Sequence, residues 1–178
     1  MVRQNLLFTG SPGCGKSTII EKIVQRIPRP TTGFFTREIR DKGRRLGFSI
    51  TTLDGKRGIL AHIDVKGRHR VGRYGVNLPD IDRIAVPSLI PENEMVVVVV
   101  DEIGKMECLS ALFRRVIIEV LDSPNWVVGS IALKGDGFIG GIRKRPDTHL
   151  ITVSESNRNT LVEEIPEILS ERWSGKTA

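Results

Sequence analysis

The pattern of apolar and polar positions changes several times along the chain, and each change predicts a different kind of element. Residues 4–9 contain three consecutive large apolar side chains, Leu6 to Phe8, which is typical of a short strand buried on both faces of a parallel sheet. After a glycine-rich turn, apolar residues recur at helical spacing as far as Ile27, and Pro28 predicts the end of that helix. The first unit is therefore a strand, a loop and a helix.

The pattern then becomes one of alternation. From residue 32 to about residue 63, apolar and polar residues alternate around two turn signals, Lys42-Gly43 and Asp54-Gly55. This pattern predicts antiparallel hairpins, and we place a hairpin-rich insertion at about residues 32–75. The basic, glycine-rich stretch that follows leads into a short helix predicted between Pro79 and Leu89.

The second half of the chain returns to an alternation of strands and helices. Apolar, β-branched sequence predicts three strands: a central strand at residues 95–100, a second buried strand at residues 126–133 and a last strand at residues 149–153. A helix with one apolar face follows the first of these strands, and a helical stretch is predicted at residues 157–173, where Pro166 suits the opening position of a helix. The chain is therefore predicted to be an α/β protein with a mostly parallel central sheet flanked by helices, forming one domain over residues 1–178.

Composition narrows the class of protein without identifying its chemistry. The 178 residues are 39% hydrophobic and 27% charged, as in an ordinary soluble globular protein. Their longest apolar run is too short to cross a bilayer, and the N-terminus does not resemble a signal peptide, so we expect a cytoplasmic protein without membrane partners. Cys14 and Cys108 match no metal or redox spacing and are expected to be reduced thiols. The net charge of +6 suits a polyanionic ligand, and modest size is compatible with a monomer.

The first candidate site is the glycine-rich turn. Gly10, four further residues and then Gly15-Lys16-Ser17 form the phosphate-binding P-loop pattern, and a predicted strand before it and a helix after it are the expected context. Lys16 would reach the β and γ oxygens of a nucleotide, Ser17 would bind Mg²⁺, and Thr18 would contact the α-phosphate. The predicted nucleotide-binding residues of this loop are Gly10, Ser11, Pro12, Gly13, Cys14, Gly15, Lys16, Ser17 and Thr18.

The second candidate site is the acidic end of the valine-rich strand. Asp101 follows five valines, at the end of a strand where ligands collect in open α/β sheets, and is the predicted second ligand of Mg²⁺. Glu102 lies where a carboxylate can orient and partly deprotonate an attacking water. The pair therefore predicts hydrolysis, with Lys16 and Glu102 as catalytic residues.

Other charged residues are weaker candidates for this site. Arg37 is our first candidate for an arginine that offsets transition-state charge, and Arg143 and Arg145 are alternatives. Lys105 and Glu107 either touch phosphate or metal, or form a salt-bridged loop.

A further weak signal lies after the last predicted strand. Asn157 and Arg158 are candidates to face the nucleotide base, although Asn157 is equally suited to capping the last helix.

At this point the chain resembles a known family, on motifs that occur in order over essentially its whole length: GSPGCGKST, GFFTREIRDKGRRLGFSITTLDGKRGILAH, VGRYGVNL, VVVVVDEIGKME and SNRNTL. Together they resemble the cancer-related and thermophilic nucleoside-triphosphatase family of small P-loop proteins. The DEIGKME element with the upstream YGV is far more specific than the P-loop. Cys14 within the loop leaves the glycine spacing intact.

The resemblance implies a RecA-like arrangement, in which other strands separate the P-loop strand from the strand of Asp101. It also implies Mg²⁺-dependent hydrolysis of ATP, GTP and other nucleoside triphosphates to the diphosphate and phosphate. The family's acidic segment carries over to Asp101, Glu102 and the loop through Lys105. We accordingly place the nucleotide-binding residues of this segment at Val99, Val100, Asp101, Glu102, Ile103, Gly104 and Lys105.

Two other functions stay open on the sequence alone. A nucleotide or nucleoside kinase would share the P-loop, and the basic segment GGIRKRPD would suit a lid over the phosphates. A nucleic-acid-binding protein that uses triphosphate hydrolysis as a switch would suit the basic stretches TREIRDKGRR and KGRHRVGRYG. The low aromatic content of 5% counts against single-strand binding by base stacking.

Overall fold

A computed structural model of the chain describes residues 5–135 and 137–173. It contains one large sheet in which nine strands are hydrogen-bonded side by side within these ranges. The strands are β1 (Asn5–Thr9), β2 (Thr31–Asp41), β3 (Arg44–Thr52), β4 (Arg57–His62), β5 (Arg70–Val71), β6 (Tyr74–Val76), β7 (Val97–Ile103), β8 (Val127–Ile131) and β9 (Thr148–Thr152).

Helices connect the strands and cover both faces of the sheet. A π-helical stretch, Ile81–Ala85, joins the short helices α2 and α3 into one continuous helical segment, and a short 3₁₀ turn, Glu107–Leu109, precedes α4. The α-helices are α1 (Lys16–Arg26), α2 (Leu78–Asp80), α3 (Val86–Ser88), α4 (Ala111–Asp122), α5 (Gly137–Arg143) and α6 (Arg158–Trp173). Within the described ranges, no helix is both long and apolar enough to span a membrane.

The order of the strands is β5-β6-β4-β3-β2-β7-β8-β1-β9. The five strands from β2 to β9 in this order are parallel to one another, and the remaining pairs are antiparallel. Because β8 lies between β1 and β7, the phosphate-loop strand and the Asp101 strand are not neighbours, as the family resemblance implies. The predicted α/β class with a mostly parallel core and antiparallel hairpins is confirmed.

β2 belongs to both halves of the sheet. It pairs with β7 in parallel and with β3 in an antiparallel hairpin. A side chain at Gly33, which has φ 125°, would collide with the backbone oxygen of Val99, so glycine permits the close approach of β2 to β7. The sequence analysis predicts a hairpin insertion from about residue 32, whereas residues 31–35 of β2 belong to the parallel core.

The valines of β7 pack into both layers of the core. Val98 and Val100 lie in the cluster on the face covered by α4, whereas Val97 and Val99 lie in the cluster on the face covered by α1 and α6. All four are completely buried. This two-sided burial explains why β7 reads as an unbroken apolar run.

Two parts of the C-terminal half differ from the sequence prediction. The glycine-broken segment after β8 contains a helix, α5, which Ile139 and Ile142 anchor in the core at a spacing of three residues. Pro166 lies inside α6 and does not open a helix. Arg26 of α1 donates a hydrogen bond to the Val162 oxygen in the preceding turn, and this bond accounts for the position of the proline.

Candidate functional site

The phosphate loop joins β1 directly to α1. Gly13 has φ 78° and Gly15 has φ 108°, both in the left-handed region that favours glycine. Gly15 caps α1 without a side-chain hydrogen bond, and the first turn of α1 contains no acidic residue. The N–H groups at the start of the helix are therefore not capped by a side chain and suit an anion.

Lys16 lies folded over this loop. Its Nζ donates to the backbone oxygens of Gly10, at 3.1 Å, and of Ser11, at 3.4 Å. Cys14 is buried, and an added Cβ on Gly10 would lie 2.7 Å from its Sγ. Cys14 therefore has a packing role in the loop, consistent with the reduced thiol expected from the sequence.

Asp101 lies at the end of β7 and is 1% exposed. Its Oδ1 accepts a hydrogen bond from the Ser130 hydroxyl at 2.5 Å, whereas its Oδ2 is buried without a partner among the described residues. Burial raises the pKa of Asp101, and the nearby hydroxyls of Ser130 and Ser17 and the charges of Arg37 and Lys16 oppose this rise. An unpartnered carboxylate oxygen beside Ser17 is a suitable donor for a divalent cation.

The donor set also fits the kind of metal. The described residues contain no group of three or more His, Cys, Asp or Glu side chains arranged to hold a metal ion by themselves. Mg²⁺ is usually bound by one or two protein oxygens together with phosphate oxygens and water. The Asp101 carboxylate and the Ser17 hydroxyl therefore fit Mg²⁺ bound together with a nucleotide.

Two further carboxylates lie near Asp101. Burial raises the pKa of Glu102, with Lys16 opposing the shift and Asp101 adding to it. Burial also raises the pKa of Glu107 to about 8, and the neighbouring charges of Glu102 and Asp101 add to the rise. The two glutamates converge on Gly104, where an added Cβ would lie 2.7 Å from Glu107 Oε2 and 3.0 Å from Glu102 Oε1.

Glu107 is therefore a buried member of the acidic cluster. It is 4% exposed and forms no ion pair with the described residues, so it is not part of a salt-bridged loop. The sequence left its role open because burial depends on the 3₁₀ turn and on the packing around it. Lys105, in contrast, is exposed.

One cleft of about 640 Å³ brings these groups together. Its lining combines the phosphate loop, the acidic end of β7 with the loop after it, the segment after β8, and residues of β2, β3, β4 and β5. The lining residues are Gly10, Pro12, Gly13, Gly15, Lys16, Ser17, Thr18, Thr36, Arg37, Glu38, Arg45, Phe48, Leu60, Val71, Asp101, Glu102, Gly104, Lys105, Met106, Glu107, Ala132, Leu133 and Lys134.

The three candidate arginines occupy different places. Arg37 lines the cleft and forms an ion pair with Glu21 of α1. Arg143 donates from Nη1 to Thr9 Oγ1 and to the Ala132 backbone oxygen, at 3.0 Å in both cases, and so ties the end of β1 to the end of β8.

Arg145 lies away from the cleft. It forms ion pairs with Asp122 and Asp147. Asp147 immediately precedes β9, so it lies at the amino-terminal ends of the parallel strands, whereas the phosphate loop lies at their carboxyl ends. The structure therefore does not bring Arg145 to the site. The segment that the kinase alternative treats as a basic lid is α5 with its C-terminal turn, held to the sheet by Arg143 and Arg145.

Some predicted nucleotide-binding residues do not reach the cleft. Val99, Val100 and Ile103 are completely buried in the core, because β7 is covered on both faces, and none of the three lines the cleft. Asn157 braces the loop after β9: its Oδ1 accepts from the Ser154 N–H and its Nδ2 donates to the Thr152 oxygen.

Arg158 remains a prediction for the nucleotide base. It is exposed, and its Cδ lies 3.5 Å from the position that a Cβ on Gly15 would occupy. The side chain therefore passes beside the phosphate loop.

Comparison with known proteins places these features in context. A family model described as NTPase matches residues 5–166. The chain is 44% identical over 165 residues to nucleoside-triphosphatase THEP1 of Thermotoga sp. (strain RQ2), covering 92% of this chain and 94% of that protein. It is 36% identical over 179 residues to the human cancer-related nucleoside-triphosphatase, covering 91% of this chain and 94% of that protein.

Solved structures agree with the sequence matches. The crystal structure of THEP1 from Aquifex aeolicus superposes with a TM-score of 0.84 at 34% identity, covering 93% of this chain and 98% of that one. The solution structure of a human cancer-related nucleoside triphosphatase gives a TM-score of 0.78 at 34% identity, covering 93% and 97%.

Proposed function

The chain belongs to the nucleoside-triphosphatase family, whose model matches residues 5–166, and we propose that it hydrolyses nucleoside triphosphates in a Mg²⁺-dependent reaction with broad base specificity. The observation that carries the proposal is the cleft that both the phosphate loop and the Asp101–Glu102 pair line. The products are the nucleoside diphosphate and inorganic phosphate.

The phosphate loop binds the triphosphate. The N–H groups at the start of α1 donate to the phosphate oxygens, and Lys16 exchanges its bonds to the loop carbonyls for bonds to the β and γ oxygens. Lys16 is therefore both a binding and a catalytic group, because the negative charge that it faces moves during the reaction.

Ser17 and Asp101 would hold Mg²⁺. The metal would supply positive charge that neutralises the triphosphate. Asp101 offers its unpartnered Oδ2, while Ser130 fixes Oδ1 and so sets the orientation of the carboxylate.

Glu102 orients the attacking water. It follows Asp101 directly and lines the same cleft, so its carboxylate is close to the proposed position of the γ-phosphate. It accepts a proton from the water as the oxygen approaches phosphorus. Arg37, on the neighbouring strand, offsets charge on the transferring group.

Two residues after β9, Asn157 and Arg158, support broad base specificity. The Asn157 side chain is hydrogen-bonded to the loop backbone and is not available to a base. Arg158 offers a planar guanidinium that stacks on any base. A stacking contact alone discriminates poorly between bases, because every base has a flat face.

Phosphate release tests the proposal directly. ATP, GTP, CTP and UTP are each incubated with the protein and Mg²⁺, or with EDTA in its place. We expect release from all four in Mg²⁺ only, and at least 100-fold slower release by Lys16→Ala. Lys22→Ala, which removes an exposed lysine from the same helix, is the matched control. Release that persisted in EDTA or in Lys16→Ala would contradict the assignment.

The role of Glu102 has its own test. Glu102→Gln keeps the size of the side chain but removes its proton-accepting ability, so we expect turnover to fall at least 100-fold with nucleotide binding retained. Glu119→Gln, an exposed change on α4, is the control. Wild-type turnover in Glu102→Gln would show that another group orients the water.

A further inference from the structure

The β2–β3 hairpin rises above the edge of the sheet at which the phosphate loop lies. β2 pairs with β7 only from Thr31 opposite Val97 to Phe35 opposite Asp101. Residues 36–41 continue past Asp101 and pair with β3. At about 3.3 Å per residue, this extension reaches about 20 Å beyond Asp101. The hairpin therefore forms a wall beside the reacting phosphate.

The wall presents an aromatic ring and a cation to the cleft. Phe48 contacts Tyr74 edge to face, with ring centroids 5.4 Å apart. The guanidinium of Arg45 lies 5.3 Å from the Phe48 centroid, and its Nη1 donates to Glu38 Oε1 in an ion pair at 2.8 Å. Further apolar lining at this end of the cleft comes from Leu60, Val71 and Met106.

The strand order gives the position of this end of the cleft relative to the phosphate loop. β9, which is followed by α6 and Arg158, neighbours β1 with the phosphate loop; beyond β1 come β8, β7 with Asp101, β2, and then β3 with Phe48. Seen from the phosphate loop, the Phe48 end of the cleft therefore lies beyond Asp101, on the side away from Arg158. An attacking water molecule needs no apolar wall and no aromatic ring.

Charge indicates the class of molecule that would fit. The lining at this end contains the guanidinium of Arg45 and the ammonium of Lys105, together with the carboxylate of Glu38. Lys105 forms no ion pair with the described residues. A ligand for this end is therefore anionic and carries a flat ring.

We propose that this end of the cleft binds a nucleoside monophosphate as a second substrate, which accepts the γ-phosphoryl group. The base would lie against Phe48, and the phosphate would face Arg45 and Lys105. The proposal rests on the proposed position of the triphosphate in the phosphate loop.

The transfer is balanced without an added reagent. An ionised oxygen of the monophosphate forms a bond to the γ-phosphorus, and the bond from that phosphorus to the β,γ-bridging oxygen breaks. Its electron pair leaves with the nucleoside diphosphate, and the acceptor becomes a second diphosphate. Because the attacking oxygen carries no proton, this reaction does not need Glu102 as a base, whereas hydrolysis does.

The test follows the fate of the γ-phosphate. ATP labelled in that group is incubated with the protein, Mg²⁺ and AMP, GMP, CMP or UMP in turn, and labelled diphosphate is separated from labelled inorganic phosphate. We expect labelled diphosphate with at least one acceptor. We also expect Glu102→Gln to raise the ratio of labelled diphosphate to inorganic phosphate at least tenfold.

Variants locate the acceptor. Arg45→Gln and Phe48→Ala should each lower that ratio at least tenfold, whereas Arg44→Gln, which removes a neighbouring charge outside the cleft lining, should leave it unchanged. Label found only in inorganic phosphate with all four acceptors, in the wild type and in Glu102→Gln, would overturn the inference while leaving hydrolysis intact. Labelled diphosphate without any hydrolysis in the absence of acceptor would support it and overturn the proposed hydrolysis.

Discussion

Arg26 donates a hydrogen bond from Nη1 to the backbone oxygen of Val162, at 3.0 Å, and so joins α1 to α6. The same guanidinium pairs with Glu163. In a continuous helix the N–H of residue 166 would bond to the oxygen of Val162, but Pro166 has no N–H. Arg26 therefore replaces the donor that the proline removes, which explains how Pro166 lies inside a helix.

This relationship predicts that Arg26 and Pro166 are energetically coupled. Arg26→Ala should lower the urea midpoint of unfolding, because the Val162 oxygen loses its donor. In a Pro166→Ala background the helix supplies its own donor, so the same change should have less than half the effect. A double-mutant cycle by urea denaturation measures the coupling. Glu163→Gln, which removes only the exposed ion pair, is the control, and equal effects in both backgrounds would show that the hydrogen bond is irrelevant.

Local sequence was sufficient for the parts of the fold and site that are continuous in the chain. The phosphate loop with its flanking strand and helix, and the valine strand ending in Asp101 and Glu102, could be predicted because each is one short stretch with a strong pattern. The same holds for the hairpin turns at residues 42–43 and 54–55.

Features that depend on which elements become neighbours could not be predicted in the same way. The membership of β2 in the parallel core depends on its pairing with β7. Packing likewise determines the burial of Glu107. Strand direction determines that Arg145 lies at the end of the strands away from the phosphate loop. The helix α5 could not be predicted from its glycine-rich sequence, because two isoleucines are too few to define a helical face.

The buried carboxyl of Glu107 predicts a pH-dependent stability in the absence of metal. Its pKa is raised from an ordinary value of 4.5 to about 8, so between these values the folded protein holds a proton that the unfolded chain has lost. Stability should therefore fall as pH rises through this window, by at most on the order of 5 kcal/mol.

Replacing the carboxyl isolates this effect. Glu107→Gln lacks the titrating group, so its free energy of unfolding should increase relative to that of the wild type between pH 5 and pH 8.5. Urea denaturation in EDTA at several pH values measures the difference. Glu119→Gln, exposed on α4, should follow the wild type. A constant difference between Glu107→Gln and the wild type across the range would contradict the raised pKa.

Gly104 leaves space for the two glutamates that converge on it. A methyl group there would lie 2.7 Å from Glu107 Oε2 and 3.0 Å from Glu102 Oε1, so at least one carboxylate must move. Because a small misplacement of a reacting group is costly, Gly104→Ala should lower kcat at least tenfold with little change in nucleotide affinity. Steady-state kinetics with a fluorescent-nucleotide binding assay separates the two quantities.

A second glycine provides the control for this change. Gly141 lies in α5, and an added Cβ there would meet no atom within 4 Å. Gly141→Ala should therefore leave both kcat and affinity unchanged. An equal loss of activity in both variants, or unaltered kcat in Gly104→Ala, would show that the approach of Glu102 and Glu107 to Gly104 does not matter for catalysis.

Arg37 lines the cleft although it is also paired with Glu21, and we expect its charge to act on the transition state. Arg37→Ala should lower kcat at least 100-fold while KM changes less than threefold, because charge on the transferring group is greatest during the reaction. Arg37→Lys should recover only part of the loss, since an ammonium lacks the planar fork of donors. Arg40→Ala, which removes the next arginine of β2 and lies outside the cleft lining, is the control. If kcat in Arg37→Ala stayed within threefold of the wild type, the arginine would serve only to join β2 to α1 through Glu21.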